Sequence, residues 1–239
     1  MNQVLLIARR ELFAYLRSPL GAVIIAGALL IDGLWFYYQA TQKLVSADIL
    51  QQFIWVASGT TMAASLFLSM RLFAEERQTG TLVLLNTSPV RDWEIVLGKY
   101  LSAFSVVLVL TACTGYLPAL ILVHGKISLG HVLVGYAGIL LIGSAAISIG
   151  LFGSALARSQ VVAIIVSAAI LGALILLWVV ARSVDPPLNR FFSALALHHE
   201  NFRPFMAGRL ELGAVAYYVA MTYFFLLASM KVLEARRWR

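Results

Sequence analysis

Residues 73–99 read FAEERQTGTLVLLNTSPVRDWEIVLGK, and the runs on either side of this stretch decide the fold. It carries charges of both signs, and it separates two apolar runs, 52–72 and 96–123. Each run is long enough to cross a bilayer, for which roughly 20 apolar residues suffice. A polar link between two crossings lies on a membrane surface. Which surface, and what the link does there, depends on the rest of the chain.

Of 239 residues, 61% are hydrophobic and 12% charged, and the mean hydropathy is +0.89. Such a chain has lipid as its solvent, and its length leaves room for about six crossings and no separate soluble domain. The expected fold is therefore all-α: a polytopic membrane protein whose crossings lie at 20–38, 52–72, 96–123, 131–156, 160–181 and 213–233. Residues 2–17 project as an amphipathic helix lying in the interface, with Val4, Leu5, Ala8, Leu12, Phe13, Tyr15 and Leu16 on one arc and Gln3, Arg10, Glu11 and Arg17 opposite. Its scattered arginines argue against a cleaved leader, so the amino terminus is expected to be retained. Between the last two crossings, 182–212 mixes charges with an apolar island, RFFSALALHH, too short to span. It is expected to enter the outer leaflet as one or two re-entrant helices buried against protein. Glycines 135, 138, 143, 150 and 153 in the fourth crossing predict close helix packing.

Lysines and arginines set the orientation. With both termini inside, Arg9, Arg10, Arg17, Arg71, Arg77, Arg91, Lys99, Arg158, Lys231, Arg236, Arg237 and Arg239 face inward. Lys43, Lys126, Arg182, Arg190, Arg203 and Arg209 then face outward, four of them in one long loop. This asymmetry places both termini and the 73–99 stretch in the cytoplasm; the membrane is expected to be a bacterial inner membrane. The net charge of +7 is spread over the ends of apolar runs rather than gathered with aromatics, so nucleic acid is not an expected partner. The single Cys113 excludes an internal disulfide.

Signals for catalysis or metal binding are weak. Gly125 and Lys126 are followed by Ile127 with no glycine in register before them, which fails the phosphate-loop pattern. His198, His199 and Glu200 lack the spacing of a helical zinc motif. Neither a metal nor a cofactor is expected in this chain. Asp32 stands inside the first crossing, where a carboxylate must face the bundle, a polar path or the headgroups, and both a structural and a translocation-path role remain open.

The 73–99 stretch is more specific. Glu75, Glu76 and Arg77 precede Gly80; Thr81 is placed to cap a short helix; Leu82, Val83, Leu84 and Leu85 form an apolar strip; Ser88 and Pro89 restart the next helix. The expected element is a short amphipathic helix at 75–87 whose apolar strip requires a protein partner.

EERQTGTLVLLNTSPV followed by WEIVLGKYL, the amphipathic lead-in ending RSP, and six crossings with a polar stretch before the last resemble the permease subunits of type-2 ABC transporters. HHENFRPFMAGRLELGAVAYY looks most like the permeases of gliding-motility and nitrous-oxide-reductase gene clusters. The resemblance implies that 75–87 is a coupling helix seated in a separate cytoplasmic ATPase, which binds the ATP and Mg and does the hydrolysis. Glu75, Glu76, Arg77, Gly80, Thr81, Leu82, Leu85 and Pro89 are the residues assigned to that coupling. It further implies a second permease copy or paralogue, and outward transport. Two rival readings stand beside it. One is a mechanical transmitter that moves a periplasmic or membrane accessory protein through His198, His199, Glu200, Phe202, Phe205 and Gly208. The other is an intramembrane enzyme using Asp32 or the histidine pair.

Overall fold

A computed structural model describes residues 3–42, 45–80, 90–125 and 127–237. Among these residues the chain is helical without strands. In order come α1 (Gln3–Arg17), α2 (Pro19–Thr41), α3 (Ser46–Ser69), α4 (Arg71–Gln78), α5 (Asp92–Thr114) and α6 (Tyr116–His124). They are followed by α7 (Leu129–Leu156), α8 (Gln160–Ser183), α9 (Leu188–Leu195), α10 (His199–Met206) and α11 (Leu212–Arg237). Six helical spans are long and apolar enough to cross a membrane: Pro19–Thr41, Ser46–Gln78, Asp92–Val123, Leu129–Leu156, Gln160–Ser183 and Leu212–Arg236.

Two spans are compound. Ser46–Gln78 has 33 residues, a length of roughly 50 Å at 1.5 Å per residue, against a hydrocarbon core of about 30 Å. Its excess falls at the charged end, in α4. The α3–α4 joint at Met70 is made by a side chain from another helix: Ser154 Oγ accepts from Phe73 N (3.0 Å) and Ala74 N (3.1 Å) and donates to Met70 O (2.9 Å). A hydroxyl inserted in the helix ladder is a regular cause of a bend. The other compound span breaks at Gly115, three residues before Pro118, which has no N–H for the ladder.

α7 is the central pillar. Its inward face carries Gly135, Gly138, Gly143, Gly150 and Gly153, and α3, α5, α8 and α11 pack around it. The need for glycine is steric: an added Cβ at Gly143 would stand 2.9 Å from Thr61 Cγ2, and one at Gly138 2.6 Å from Phe205 Cβ. Between the helices a one-way chain of hydroxyls bridges three of them. Thr222 donates to Tyr218 O, so Ser144 donates to Thr222 (2.9 Å) and Tyr100 to Ser144 (2.6 Å).

The segment after α8 turns back into the bundle. Leu197 N donates to Leu174 O at 3.1 Å, about 14 Å back along α8 from its end at Ser183. Non-helical backbone at that depth has to be satisfied by protein. Here Tyr217 and Tyr218 donate to Leu195 O and Leu197 O (both 2.7 Å), and Asn201 Nδ2 donates to Ala194 O and Ala196 O. α10 then places Phe202 and Phe205 in the core beside Tyr218 and Ile139. Gly208, at φ 69, ends that turn in the left-handed region, where a Cβ is unfavourable.

Candidate functional site

At the end of the bundle where α1 lies, four charged side chains from three helices meet. Lys99, in the second turn of α5, is wholly buried, with Nζ 3.1 Å from Glu11 Oε1 and 2.9 Å from Glu76 Oε1. Arg10 reaches the same two carboxylates at 2.9 and 3.1 Å. The Phe73 ring centre lies 5.3 Å from Lys99 Nζ, within cation–π range. Two cations balance two anions. An ammonium taken out of water costs several kcal/mol unless it is paired this closely. Burial pushes the Glu11 carboxyl up, yet Lys99 and Arg10 beside it outweigh that and hold it below the ordinary glutamate value.

Local sequence explains how the cluster assembles. Ile7, Glu11 and Tyr15 recur at four-residue spacing and so share one face of α1. Gly98 lets that face approach α5, since an added Cβ there would stand 2.8 Å from Ile7 Cβ. The next residue is Lys99. Further along the same face, Tyr15 is buried and its hydroxyl donates to Leu68 O at 2.6 Å. Arg71 lies over the Tyr15 ring and pairs with Glu75 at 2.8 Å. Adjacent residues on a helix point about 100° apart, so Glu75 takes the outer partner and Glu76 the inner one.

α4 is also tied to the end of α7. Arg77 donates through Nη2 to Ala155 O (3.0 Å) and through Nη1 to Ala157 O, and Arg236 donates to Leu156 O (2.8 Å). The last carbonyls of a helix have no partner within it, and cations there are favoured by its dipole.

The sequence-assigned residues divide into several groups. Glu75, Glu76 and Arg77 belong to α4, which continues the second crossing and stops at Gln78; Thr79 and Gly80 form a turn, with Gly80 exposed at φ 73. A single docking helix over 75–87 is thus corrected: its first residues complete a helix that begins at Arg71. Thr81, Leu82, Leu85 and Pro89 lie outside the described residues. Asp32 is buried mid-helix and accepts from Thr60 Oγ1 at 2.8 Å, joining α2 to α3.

At the opposite end, His198 is buried. Ser58 gives its proton to Trp55 O, so His198 Nε2 donates to Ser58 Oγ (2.7 Å). His199 instead stacks on Trp178 at 4.4 Å beside Arg182. The two histidines thus serve different neighbours, Glu200 is exposed, and among the described residues no three potential metal ligands converge. Phe202 and Phe205 have no exposed surface and Gly208 packs on His131, so the contact surface drawn through them is corrected: their space is filled by the protein itself.

Glu11 and Lys99 escaped the sequence reading. On a helical projection Glu11 falls on the wet face of α1, and Lys99 enters only as one of the inward-facing cations. The available signal was a lysine within an apolar run, the same anomaly that singles out Asp32.

Comparison with curated proteins found no match for this chain. A family model described as ABC-2 family transporter protein matches residues 19–232, nearly the whole of it. Six apolar spans and an all-helical bundle agree with that match, which covers a membrane component of transport rather than an enzyme. The family implies association with an ABC ATPase and, typically, dimerisation. The chain belongs to the ABC-2 transporter family and is an integral membrane subunit of an ABC transporter.

Proposed function

We propose that this subunit is the permease half of an exporter in a bacterial inner membrane, with both termini in the cytoplasm, driven by separate ATPase subunits that bind ATP and Mg. Two copies, or one copy and a paralogue, enclose the path. The ATPase docks on the stretch that begins with α4 and runs through Leu82 and Leu85. The observation that carries this reading is the ion cluster of Arg10, Glu11, Glu76 and Lys99. It joins the helix entering the docking stretch to α1 and α5, so a push on α4 reaches both. Apolar anchors within a charged rim suit a docked helix, the anchors giving contact and the rim giving register.

The test is co-expression with the ATPase of the same operon. Leu85→Arg should abolish co-purification while the permease still folds. Undiminished co-purification and ATPase activity would overturn the docking assignment.

A second reading, mechanical transmission to a partner outside the membrane, is favoured by one observation. Several polar groups between crossings are engaged in packing bonds, Asp32 with Thr60, Tyr100 with Ser144 and Ser144 with Thr222. A reconstituted complex that hydrolyses ATP, moves no solute and binds an accessory protein through the Arg182–His199 surface would establish it.

A further inference from the structure

We propose that the junction of α4, the α7–α8 turn and the end of α11 binds the phosphate of an anionic phospholipid, with Arg158 as the residue that grips it. Three guanidiniums from three segments of the chain converge on residues 155–158. Arg77 donates to the carbonyls of Ala155 and Ala157, Arg236 donates to that of Leu156, and Arg158 follows directly. Arg77 lies close enough to feel the charge of both others. The α7 C-terminus offsets only about half a unit charge.

Nearby carboxylates are engaged elsewhere: Glu75 with Arg71, Glu76 with Lys99 and Arg10, and Glu234 with Lys231 at 2.7 Å. Arg158 itself is exposed and makes no hydrogen bond or ion pair among the described residues. α8 starts beside it behind the Ser159 cap, so the first N–H groups of that helix add positive potential at the same place.

The surroundings choose between anions. The patch is floored by the buried Ala74, Ala157 and Ala163 and flanked by exposed Leu156, Val161 and Val162. A basic pocket between spans with an apolar flank suits a headgroup phosphate whose acyl chains lie along the protein.

The full-length protein is reconstituted in nanodiscs of phosphatidylcholine with and without phosphatidylglycerol, and retained lipid is counted by native mass spectrometry. The wild type should retain phosphatidylglycerol selectively. Arg158→Gln should retain roughly fivefold less, the loss expected for one arginine at an anionic surface. Arg190→Gln, exposed at the other end, should match the wild type. Equal retention by Arg158→Gln overturns the site. So does a thermal shift from inorganic phosphate in phosphatidylcholine discs equal to that from phosphatidylglycerol, which would mean a soluble anion. Loss of ATPase co-purification in Arg158→Gln with lipid retention unchanged would assign the patch to a protein partner instead.

Discussion

The two ends of the bundle are closed by opposite physical means. At the α1 end, three helices are joined by a neutral set of four charges around the buried Lys99, with Arg10 on its exposed side. At the other end, α9 and α10 turn back and fill the bundle with Phe202 and Phe205 against Tyr218, and the buried Tyr218 and His198 are satisfied by neutral hydrogen bonds. Close-packed aromatic contacts have one good arrangement, because a small displacement forfeits much of their dispersion energy. Charge pairs act over longer distances and respond to any new charge brought near. The charged end is therefore suited to register a partner, and the packed end to hold its shape.

Substitutions can break this contrast. The largest effect should come from Lys99→Met, which leaves Glu11 and Glu76 with only Arg10. A buried charge stripped of its partner costs about 3–5 kcal/mol, visible as a lowered unfolding midpoint in detergent and largely restored by Lys99→Arg. Next is Gly138→Val, which drives a side chain into Phe205; overpacking costs about 1–3 kcal/mol and should loosen α10, read as faster amide exchange at 199–206. If Gly138→Val proved more damaging than Lys99→Met, the ranking of the two ends would be reversed. Ser58→Ala removes the partner of His198 and should cost about 1–3 kcal/mol, the price of one unsatisfied buried polar group, without altering ATPase co-purification. The smallest change belongs to Glu200→Gln, exposed on α10, which should stay within about 0.5 kcal/mol of the wild type.

The crossings were legible because their signal is long. A run of about 20 apolar residues is hard to mistake, and the glycines of α7 announced close packing by their number. Boundaries were less so. Arg71 reads as the end of a crossing, yet the helix runs through it to Gln78, because its guanidinium lies on Tyr15 and pairs with Glu75 while Ser154 bridges the bend. The roles of Glu11 and Lys99 depend on a pairing across 88 residues of sequence, which no local period encodes. Phe202 and Phe205 read as surface because α10 is short and charged; the burial of Phe205 depends on the gap opposite, at Gly138. Residues 75–77 read as the start of a helix at 75–87, yet they form the last turn of one that begins at Arg71 and stops at Gln78, before the turn at Gly80.

The assignment of the charged end to the ATPase can be tested without disturbing the fold, because each end offers an exposed position: Gln78 beside the cluster and Glu200 on α10. A photo-crosslinking residue is placed at each in turn, and the complex is irradiated in membranes during ATP turnover. Adducts with the ATPase from position 78 and none from position 200 are expected. ATPase adducts from 200 but not from 78 would contradict both the orientation and the docking site.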